Sequence, residues 1–465
     1  MTPSKTTVSA RIAALTVVAC IAMATSPGSA IVQAADWTQF RGPSGNGVVQ
    51  RLTHPANWNS DSNLAWSQEI GGGGWSSPIV IADRVIVTTA VSSGASQAKG
   101  FSDGVASMRS RRRAKVPNDP VSFEVACFDL ARGTELWRRV VDTKKPPYGI
   151  HPSNTFATET PTTDGNHVFV YFAAIGVVAC FDLDGQQIWK QDVGAYPTSN
   201  NFGTGSSLAQ HGGKLFVQCD NQQSSFLLAL DAATGETAWR VDRRSRTCWS
   251  TPIVWENDER TELVVCGSGY VTAYDPRTGS ELWKLTGVGG SFSASPAFDR
   301  ERIYFGNSGP GSRGPLVAVS AGAGGSLTLD AKPNAHGGVA WTQASSGPGM
   351  ASPVAHDGRV YVAGRGILTC HDAKTGERVY RQRLQGAANI SASLWIAENK
   401  LFVLDESGNT FVIKAGDEFE LLDTNTIAGL YWSTPAVAHN ALLLRDATKL
   451  HCIRGDEKSV AVITN

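Results

Sequence analysis

The chain has 465 residues, of which 42% are apolar and 13 are tryptophan, so it can bury a large core and is not a disordered protein. Charged residues make up only 18% and glycine numbers 48, which favours many short strands joined by tight turns. Basic and acidic residues both number 41, so no net charge draws the chain to nucleic acid or to an anionic membrane.

Residues 1–34 have the features of a cleaved export signal. A basic start is followed by an apolar stretch at 12–24 that is short for a bilayer span, and Val32-Gln33-Ala34 fits a cleavage site. The alternative is a lipoprotein signal, which would leave a lipid tether on Cys20. Both readings predict export to the periplasm or cell envelope, and no later segment has the ~18 apolar residues of a transmembrane helix.

Residues 35–63 contain Gly-Pro and Gly-Asn-Gly sequences that are typical of turns. We expect this segment to pack on the domain as an N-terminal clasp that is anchored by Trp37, Phe40 and Arg41. The segment that follows reads NLAWSQEI at 63–70, and its alternation of apolar and polar residues predicts a strand.

A hairpin repeat recurs along the rest of the chain. Each copy alternates apolar and polar residues, turns at an Asp and a Gly, and alternates again, as β-hairpins do. The Asp side chain can accept hydrogen bonds from turn amides, and the Gly supplies a positive φ. The clearest copies are CFDLARGTELW (127–137), CFDLDGQQIW (180–189), ALDAATGETAW (229–239), AYDPRTGSELW (273–283) and CHDAKTGERVY (370–380).

A second pattern precedes each hairpin. It places a Ser or Thr before a Pro or Leu, and a short turn and an apolar strand follow. The eight hydroxyl residues are Ser77, Thr160, Ser207, Thr251, Ser295, Ser352, Ser393 and Thr434. Each repeat therefore supplies four strands, A to D from inside to outside, and about 40–45 residues per four-stranded unit is the period of a β-propeller.

The last copy lacks an outer strand, and residues 64–70, with Trp66, are predicted to supply it by pairing beside Cys452. This pairing would close the ring and cover an exposed edge. We therefore predict an all-β fold, an eight-bladed β-propeller of four-stranded antiparallel blades over 64–454, with a tail at 455–465. Seven blades with a loose remainder is the alternative.

The pattern A-x-D-x-x-T-G-x-x-x-W resembles the tryptophan-docking repeat of the pyrroloquinoline quinone (PQQ)-type propellers and covers essentially all of 64–454. That superfamily includes quinoprotein alcohol dehydrogenases and non-enzymatic propellers, among them a periplasmic lipoprotein that assists outer-membrane protein assembly. The dehydrogenases characteristically carry adjacent cysteines, and this chain has no Cys-Cys. The resemblance therefore implies the propeller fold and a closer relation to the non-enzymatic, assembly-factor type.

The cysteines favour packing over a disulfide framework. Cys127, Cys180, Cys370 and Cys452 occupy a position that is Ala in other copies, so they are predicted to be small core residues. Cys248 and Cys266 lie in one blade and are the candidate disulfide pair.

One face of the propeller is the predicted working face. Antiparallel strands alternate in direction, so the B–C and D–A loops lie together, and these loops include the longest connections. At the channel mouth, aromatic and polar residues are expected to bind a flat or sugar-like ligand, or else to plug the channel. These residues are Trp75, Glu159, Asn201, Trp249, Met350 and Trp432.

The insertion at 90–121 belongs to the same face and contains a basic cluster. The cluster is expected to dock an acidic partner, an anionic polymer or lipid headgroups, and the alternative is a solvated loop. Its members are Arg109, Arg111, Arg112, Arg113 and Lys115.

These patterns favour an exported, monomeric, non-catalytic binding or scaffold propeller of the cell envelope, with an envelope protein or polysaccharide as partner and no cofactor. The alternative is an oxidoreductase that uses PQQ and Ca²⁺ on alcohols or sugars, for which Glu159 and Asn201 offer oxygen ligands. A glycan-active enzyme would need paired carboxylates, and Glu159 is the only obvious candidate.

Overall fold

The structure is a computed structural model that describes residues 1–2, 36–51, 54–92, 98–103, 116–309, 312–329 and 338–455. The predicted export signal therefore lies almost entirely outside the described residues. The compact unit that carries the fold spans Ala34–Asn465. Its strands form eight separate antiparallel sheets, each with strands A to D in order, which confirms the eight-bladed propeller.

The strand bounds follow the repeat, and blades are numbered in chain order by their A strands. The A strands are Ile79–Ile81, Thr162–Thr163, Ala209–His211, Ile253–Glu256, Ala297–Phe298, Val354–His356, Trp395–Ala397 and Ala436–Ala438. The B strands are Arg84–Val91, His167–Phe172, Lys214–Cys219, Thr261–Cys266, Arg302–Gly309, Arg359–Gly364, Lys400–Leu404 and Ala441–Arg445. The C strands are Val121–Asp129, Val177–Asp182, Ser225–Asp231, Tyr270–Tyr274, Ser312–Ser320, Ile367–Asp372, Asn409–Lys414 and Lys449–Ile453. The D strands are Glu135–Lys144, Gln187–Asp192, Thr237–Arg243, Glu281–Thr286, Val339–Gln343, Arg378–Arg383, Leu421–Thr426 and, for blade 8, Leu64–Glu69.

Two further strands extend this plan. Val48–Val49 pairs in parallel with the A strand of blade 7, and Gly325–Thr328 pairs in parallel with the D strand of blade 4. Short 3₁₀ turns occur at Phe101–Asp103 and Ser199–Asn201. In the ranges that the structure describes, no helix is long and apolar enough to cross a bilayer.

The core lies between the blades, because each sheet is covered on both faces. In the B strand of blade 1, Val85 and Val87 pack towards blade 8, whereas Ile86 packs towards blade 2. Successive side chains of a strand point to opposite faces, so both faces of an inner strand must be apolar. The near-continuous apolar runs of the B and C strands follow from this arrangement.

The ring closes between its first and last outer elements. Leu64–Glu69 runs antiparallel to Lys449–Ile453 and places Trp66 opposite Cys452, as predicted. A second link comes from Arg445 of blade 8, which is fully buried. Its guanidinium donates to the carbonyl oxygens of Ser76 (2.9 Å) and Thr88 (2.8 Å) in blade 1.

Tryptophan docking joins five pairs of neighbouring blades. The Trp66 ring covers Gly133 of the next blade so closely that a Cβ there would lie 2.5 Å from the ring, and its Nε1 donates to the carbonyl of Leu130 at 3.1 Å. Gly133 has a φ of +72°, so both space and backbone conformation require glycine. The remaining pairs are Trp137 on Gly185, Trp189 on Gly235, Trp239 on Gly279 and Trp341 on Gly376.

Blade 4 departs from this rule. Its Trp283 is fully buried and donates from Nε1 to the Glu262 carboxylate at 2.6 Å within the same blade. The outer edge of blade 4 pairs instead with Gly325–Thr328, a strand in the C–D connection of blade 5.

Candidate functional site

A closed circle of hydrogen bonds surrounds the central channel. The backbone N–H of each Ser or Thr in the second sequence pattern donates to the hydroxyl oxygen of its counterpart in the next blade, at 2.9–3.2 Å. The circle runs from Ser77 through Thr160, Ser207, Thr251, Ser295, Ser352 and Ser393 to Thr434, which donates back to Ser77. We call these eight residues the hydroxyl ring.

The N-terminal segment crosses the channel at the end where the A–B turns lie. Trp37 forms a bridge with Val80 of blade 1, and Thr163 of blade 2 donates to the Thr38 carbonyl at 2.9 Å. Further along, Ile396 of blade 7 donates to the Gly47 carbonyl at 2.9 Å. The segment therefore ties the inner strands of several blades together, and its Phe40 contributes to the wall of the channel cavity.

Arg41 holds this segment in place. Its side chain is fully buried and donates to the carbonyl oxygens of Pro296 (2.6 Å) and Asn46 (3.0 Å) and to that of Pro353. Burial lowers the pKa of the guanidinium to about 9, so it remains charged at neutral pH. The positive charge is thus held by the carbonyl ends of backbone dipoles.

A cavity of about 680 Å³ occupies the rest of the channel, on the side of the D–A and B–C loops. Its volume lies within the usual range for small-molecule sites. All eight members of the hydroxyl ring line it, as do four of the six residues proposed for the channel mouth: Trp75, Trp249, Met350 and Trp432.

An aromatic cluster forms one wall of the cavity. Trp75 and Trp432 stack with ring centroids 5.7 Å apart and an interplanar angle of 22°. Phe101, from the blade 1 insertion, lies 4.8 Å from the Trp432 ring. Trp249 lies further round the wall, where its Nε1 donates to the Gly203 carbonyl at 2.7 Å. These contacts fix the ring orientations, so the wall is formed before any ligand arrives.

Glu159 and Asn201 are not among the described residues that line the cavity. Asn201 ends a 3₁₀ turn of the D–A loop before blade 3. Glu159 is 1% exposed, and both carboxylate oxygens are buried without a hydrogen bond of good geometry in the described structure. Because burial penalises the charged form, the pKa of Glu159 rises to about 7.

This burial predicts a specific dependence of stability on pH. Between about pH 4.5 and 7 the folded protein holds a proton on Glu159 that the unfolded chain releases, so the unfolding free energy should fall as pH rises through this window. Glu159→Gln removes the titration and should stabilise the protein at pH 8 by about 3 kcal/mol, with no gain at pH 4. Urea denaturation of both proteins at the two pH values measures the difference.

The exposed Glu236 provides a control, because Glu236→Gln should leave stability unchanged at both pH values. A stabilisation by Glu159→Gln of equal size at pH 4 and pH 8 would contradict the assignment of a neutral buried carboxyl group.

The insertion of blade 1 reaches across to blade 7. Both the backbone N–H and the hydroxyl of Ser102 donate to Oε2 of Glu406 at 2.9 Å. Oε1 of Glu406 accepts from Asn389 (3.0 Å) and Ser391 (2.7 Å). Sequence reasoning did not single out this buried carboxylate. The predicted basic cluster, Arg109, Arg111, Arg112, Arg113 and Lys115, lies outside the described residues.

The described residues offer little for metal or redox chemistry. They contain no cluster of three or more His, Cys, Asp or Glu side chains arranged to hold a metal ion. All seven cysteines after residue 34 are free, including the candidate pair Cys248 and Cys266, and burial raises the pKa of the Cys248 thiol to about 12. Thiols that are protonated at neutral pH are poor nucleophiles.

The known proteins that resemble this chain include a methanol dehydrogenase and an outer membrane protein assembly factor. The chain is 27% identical over 199 residues to "Methanol dehydrogenase [cytochrome c] subunit 1" of Methylobacterium organophilum, a match that covers 39% of this chain but only 28% of that protein. It is 22% identical over 299 residues to "Outer membrane protein assembly factor BamB" of Shewanella oneidensis, covering 62% of this chain and 71% of that protein. The crystal structure of BamB from Moraxella catarrhalis superimposes with a TM-score of 0.53 at 14% identity, covering 84% of this chain and 98% of that one.

A family model matches most of the propeller. The PQQ_2 model, described as "Outer membrane protein assembly factor BamB", matches residues 121–329, 267–416 and 325–446. Its matches run from the C strand of blade 1 to the B strand of blade 8, a region that contains four of the five docking tryptophans and seven of the eight members of the hydroxyl ring. The chain therefore belongs to the PQQ_2 family of β-propeller proteins.

Proposed function

We propose that this protein is an exported, non-catalytic scaffold of the cell envelope that binds a ligand or partner on the face formed by its D–A and B–C loops. It belongs to a family whose model is described as an outer membrane protein assembly factor, and this supports a role in the envelope. The chain covers 71% of the BamB relative but 28% of the dehydrogenase relative, which favours the scaffold over the enzyme.

The composition of the cavity wall is the observation that carries this proposal. The described lining is rich in hydroxyl, aromatic and arginine side chains and includes no Asp, Glu, His, Lys or Cys. General acid–base catalysis needs a group that can exchange a proton near neutral pH, and covalent catalysis needs an activated nucleophile. Neither is present in this wall, whereas every feature of the wall suits binding.

The PQQ- and Ca²⁺-dependent alternative fits the wall poorly. Calcium takes six to eight oxygen ligands, with carboxylates prominent among them, and the described wall contains no carboxylate. Glu159, the acid that sequence reasoning assigned to this role, is buried away from the cavity. The aromatic rings and arginines would accept a flat anion, but the described wall lacks the carboxylates that would hold calcium and act as a base.

A titration with PQQ and Ca²⁺ separates the two functions. We expect neither a saturable change in absorbance or Tm nor dye-linked oxidation of alcohols or sugars. Saturable PQQ binding together with alcohol oxidation would overturn the non-catalytic proposal.

Site-specific cross-linking in the native cell locates the binding face. A photo-reactive amino acid at Lys145 or Ala344, both exposed beside the D–A loops, is expected to cross-link an envelope component. The same residue at Asn166 or Lys374, both exposed in A–B or C–D turns, serves as the matched control. Equal cross-linking from both faces, or recovery of the protein in the cytoplasmic fraction, would contradict the proposal.

A further inference from the structure

Four arginines line one side of the cavity, between blades 5 and 6. They are Arg313, Arg365, Arg378 and Arg381, and all four are exposed. Among the described residues, none of them forms an ion pair, and the only side-chain hydrogen bond runs from Arg365 to the Gly309 carbonyl at 3.1 Å. The described wall contains no carboxylate, and Glu406 behind it is held by Ser102, Asn389 and Ser391, so the four arginines have no described partner of opposite charge within ion-pair distance.

The opposite wall presents aromatic surface. Trp75 and Trp432 form a stacked pair there, and Trp249 adds a third indole at blade 4, nearer the arginines. The Trp432 Nε1 is buried and has no acceptor in the described structure, so the part of Trp432 that lines the cavity is its ring. Indole rings bind the apolar faces of cyclic ligands, and their N–H groups bond to polar substituents.

The hydroxyl ring adds donors at the centre of the cavity. Each hydroxyl oxygen already accepts one backbone N–H, and no described residue accepts a hydrogen bond from any of the eight hydroxyl groups. A hydroxyl group is one donor and an acceptor of two, so eight O–H donors remain for a ligand or for water. A ligand with many oxygens can accept hydrogen bonds from several of them at once.

We propose that the cavity binds an anionic oligosaccharide. Its carboxylate or sulfate groups pair with the arginines of blades 5 and 6, its sugar rings lie against the tryptophan wall, and its hydroxyl groups bond with the hydroxyl ring. A neutral sugar would leave the arginines without counter-charge, and a compact inorganic anion would leave the aromatic wall in water. The inference rests on the proposed binding function and names the ligand class for it.

Isothermal titration calorimetry tests the ligand class with three matched probes: neutral galactotriose, trigalacturonate and a sulfated galactotriose. At least one anionic probe is expected to bind at least ten times more tightly than galactotriose, with an affinity that falls as salt is added. Tighter binding of trigalacturonate would indicate a carboxylated ligand, and tighter binding of the sulfated galactotriose a sulfated one. Sodium phosphate serves as the simple anion and should compete weakly.

The paired variant Arg378→Gln/Arg381→Gln tests the arginines. We expect an affinity loss of about tenfold for the anionic probe, because charge-assisted hydrogen bonds are lost. Arg383→Gln is the matched control, since Arg383 lies on the same strand, is exposed and does not line the cavity. Unchanged melting temperatures would show that both variants fold, as expected for exposed side chains.

Three results would overturn the inference: equal binding of neutral and anionic trisaccharides, an affinity that the double substitution leaves unchanged, or no binding of any trisaccharide at millimolar concentration. The cross-linking of Lys145 and Ala344 variants is scored separately. If it persists while the trisaccharides fail, the ligand class is wrong and the scaffold function stands. If loop-face cross-linking is absent as well, both proposals fail.

Discussion

Trp66→Ala is expected to lower the free energy of unfolding by about 2–3 kcal/mol, less than for a fully buried tryptophan because the Trp66 ring is only partly buried. The ring of Trp66 covers Gly133 of blade 1 while its strand completes blade 8, so one side chain supports both sides of the closure. Its loss leaves the Leu130 carbonyl without the indole donor and opens a gap at this point. Guanidinium denaturation followed by tryptophan fluorescence measures the change.

Trp66→Phe is the matched control, because phenylalanine keeps an aromatic ring over Gly133 and loses only the N–H bond to Leu130. Its expected cost is about 1 kcal/mol from the lost hydrogen bond. Hydrogen exchange should show that Trp66→Ala exposes the amides of Lys449–Ile453 before those of other blades. If Trp66→Ala and Trp66→Phe cost the same and Lys449–Ile453 stays protected, the closure does not depend on this contact.

The architecture was predictable because each repeat encodes its own local geometry. In the turn after Asp231, the carboxylate accepts from the backbone N–H groups of Ala233 and Thr234 at 3.0 Å, as the Asp-x-x-Thr-Gly pattern predicts. Gly235 then takes the positive φ and receives the ring of Trp189 from the previous blade. A recurrent hairpin of this kind fixes the number of strands, and the spacing of the copies fixes the number of blades.

The additional strands were not predictable, because they depend on contacts between distant segments. Gly325–Thr328 reads GSLT, which begins with glycine and has a single β-branched residue, too little to mark a strand, and it is extended because it pairs with the edge of blade 4. Val48–Val49 is likewise held by blade 7, about 350 residues later in the chain. Neither pairing can be recognised from the residues of the strand itself.

Register decides which proposed site residues reach the cavity. Thr158 and Thr160, just before the A strand of blade 2, line the cavity, whereas Glu159 between them is buried and does not. Sequence analysis placed Glu159 at the channel mouth from proximity alone. The arginines Arg378 and Arg381 went unnoticed because they belong to an outer strand, and they reach the site because the cavity extends between blades 5 and 6, where Thr369 also lines it.

The second large effect is expected at Arg41, which secures the segment that crosses the channel. Arg41→Ala should lower the free energy of unfolding by about 3–5 kcal/mol, because it deletes a buried side chain and leaves three carbonyl groups without their donor. Arg41→Met keeps most of the volume and should cost about 2–3 kcal/mol from the unsatisfied carbonyls alone. Arg51, which is exposed near the end of the same segment, is the matched control, and Arg51→Ala should be neutral.

The comparison of Arg41→Met with Arg41→Ala separates the polar from the packing contribution. Replacement of a buried charge by an apolar side chain sometimes stabilises a protein, because the desolvation cost disappears. Here the carbonyls of Pro296 and Pro353 face the guanidinium and have no other described side-chain donor, so we expect the lost hydrogen bonds to outweigh that relief. If Arg41→Met is as stable as the parent protein, packing alone holds the segment. Phe40, next to Arg41 in the sequence, lines the cavity. Arg41→Ala should therefore also lower the binding affinity for any ligand that reaches the hydroxyl ring, whereas Arg51→Ala should leave that affinity unchanged.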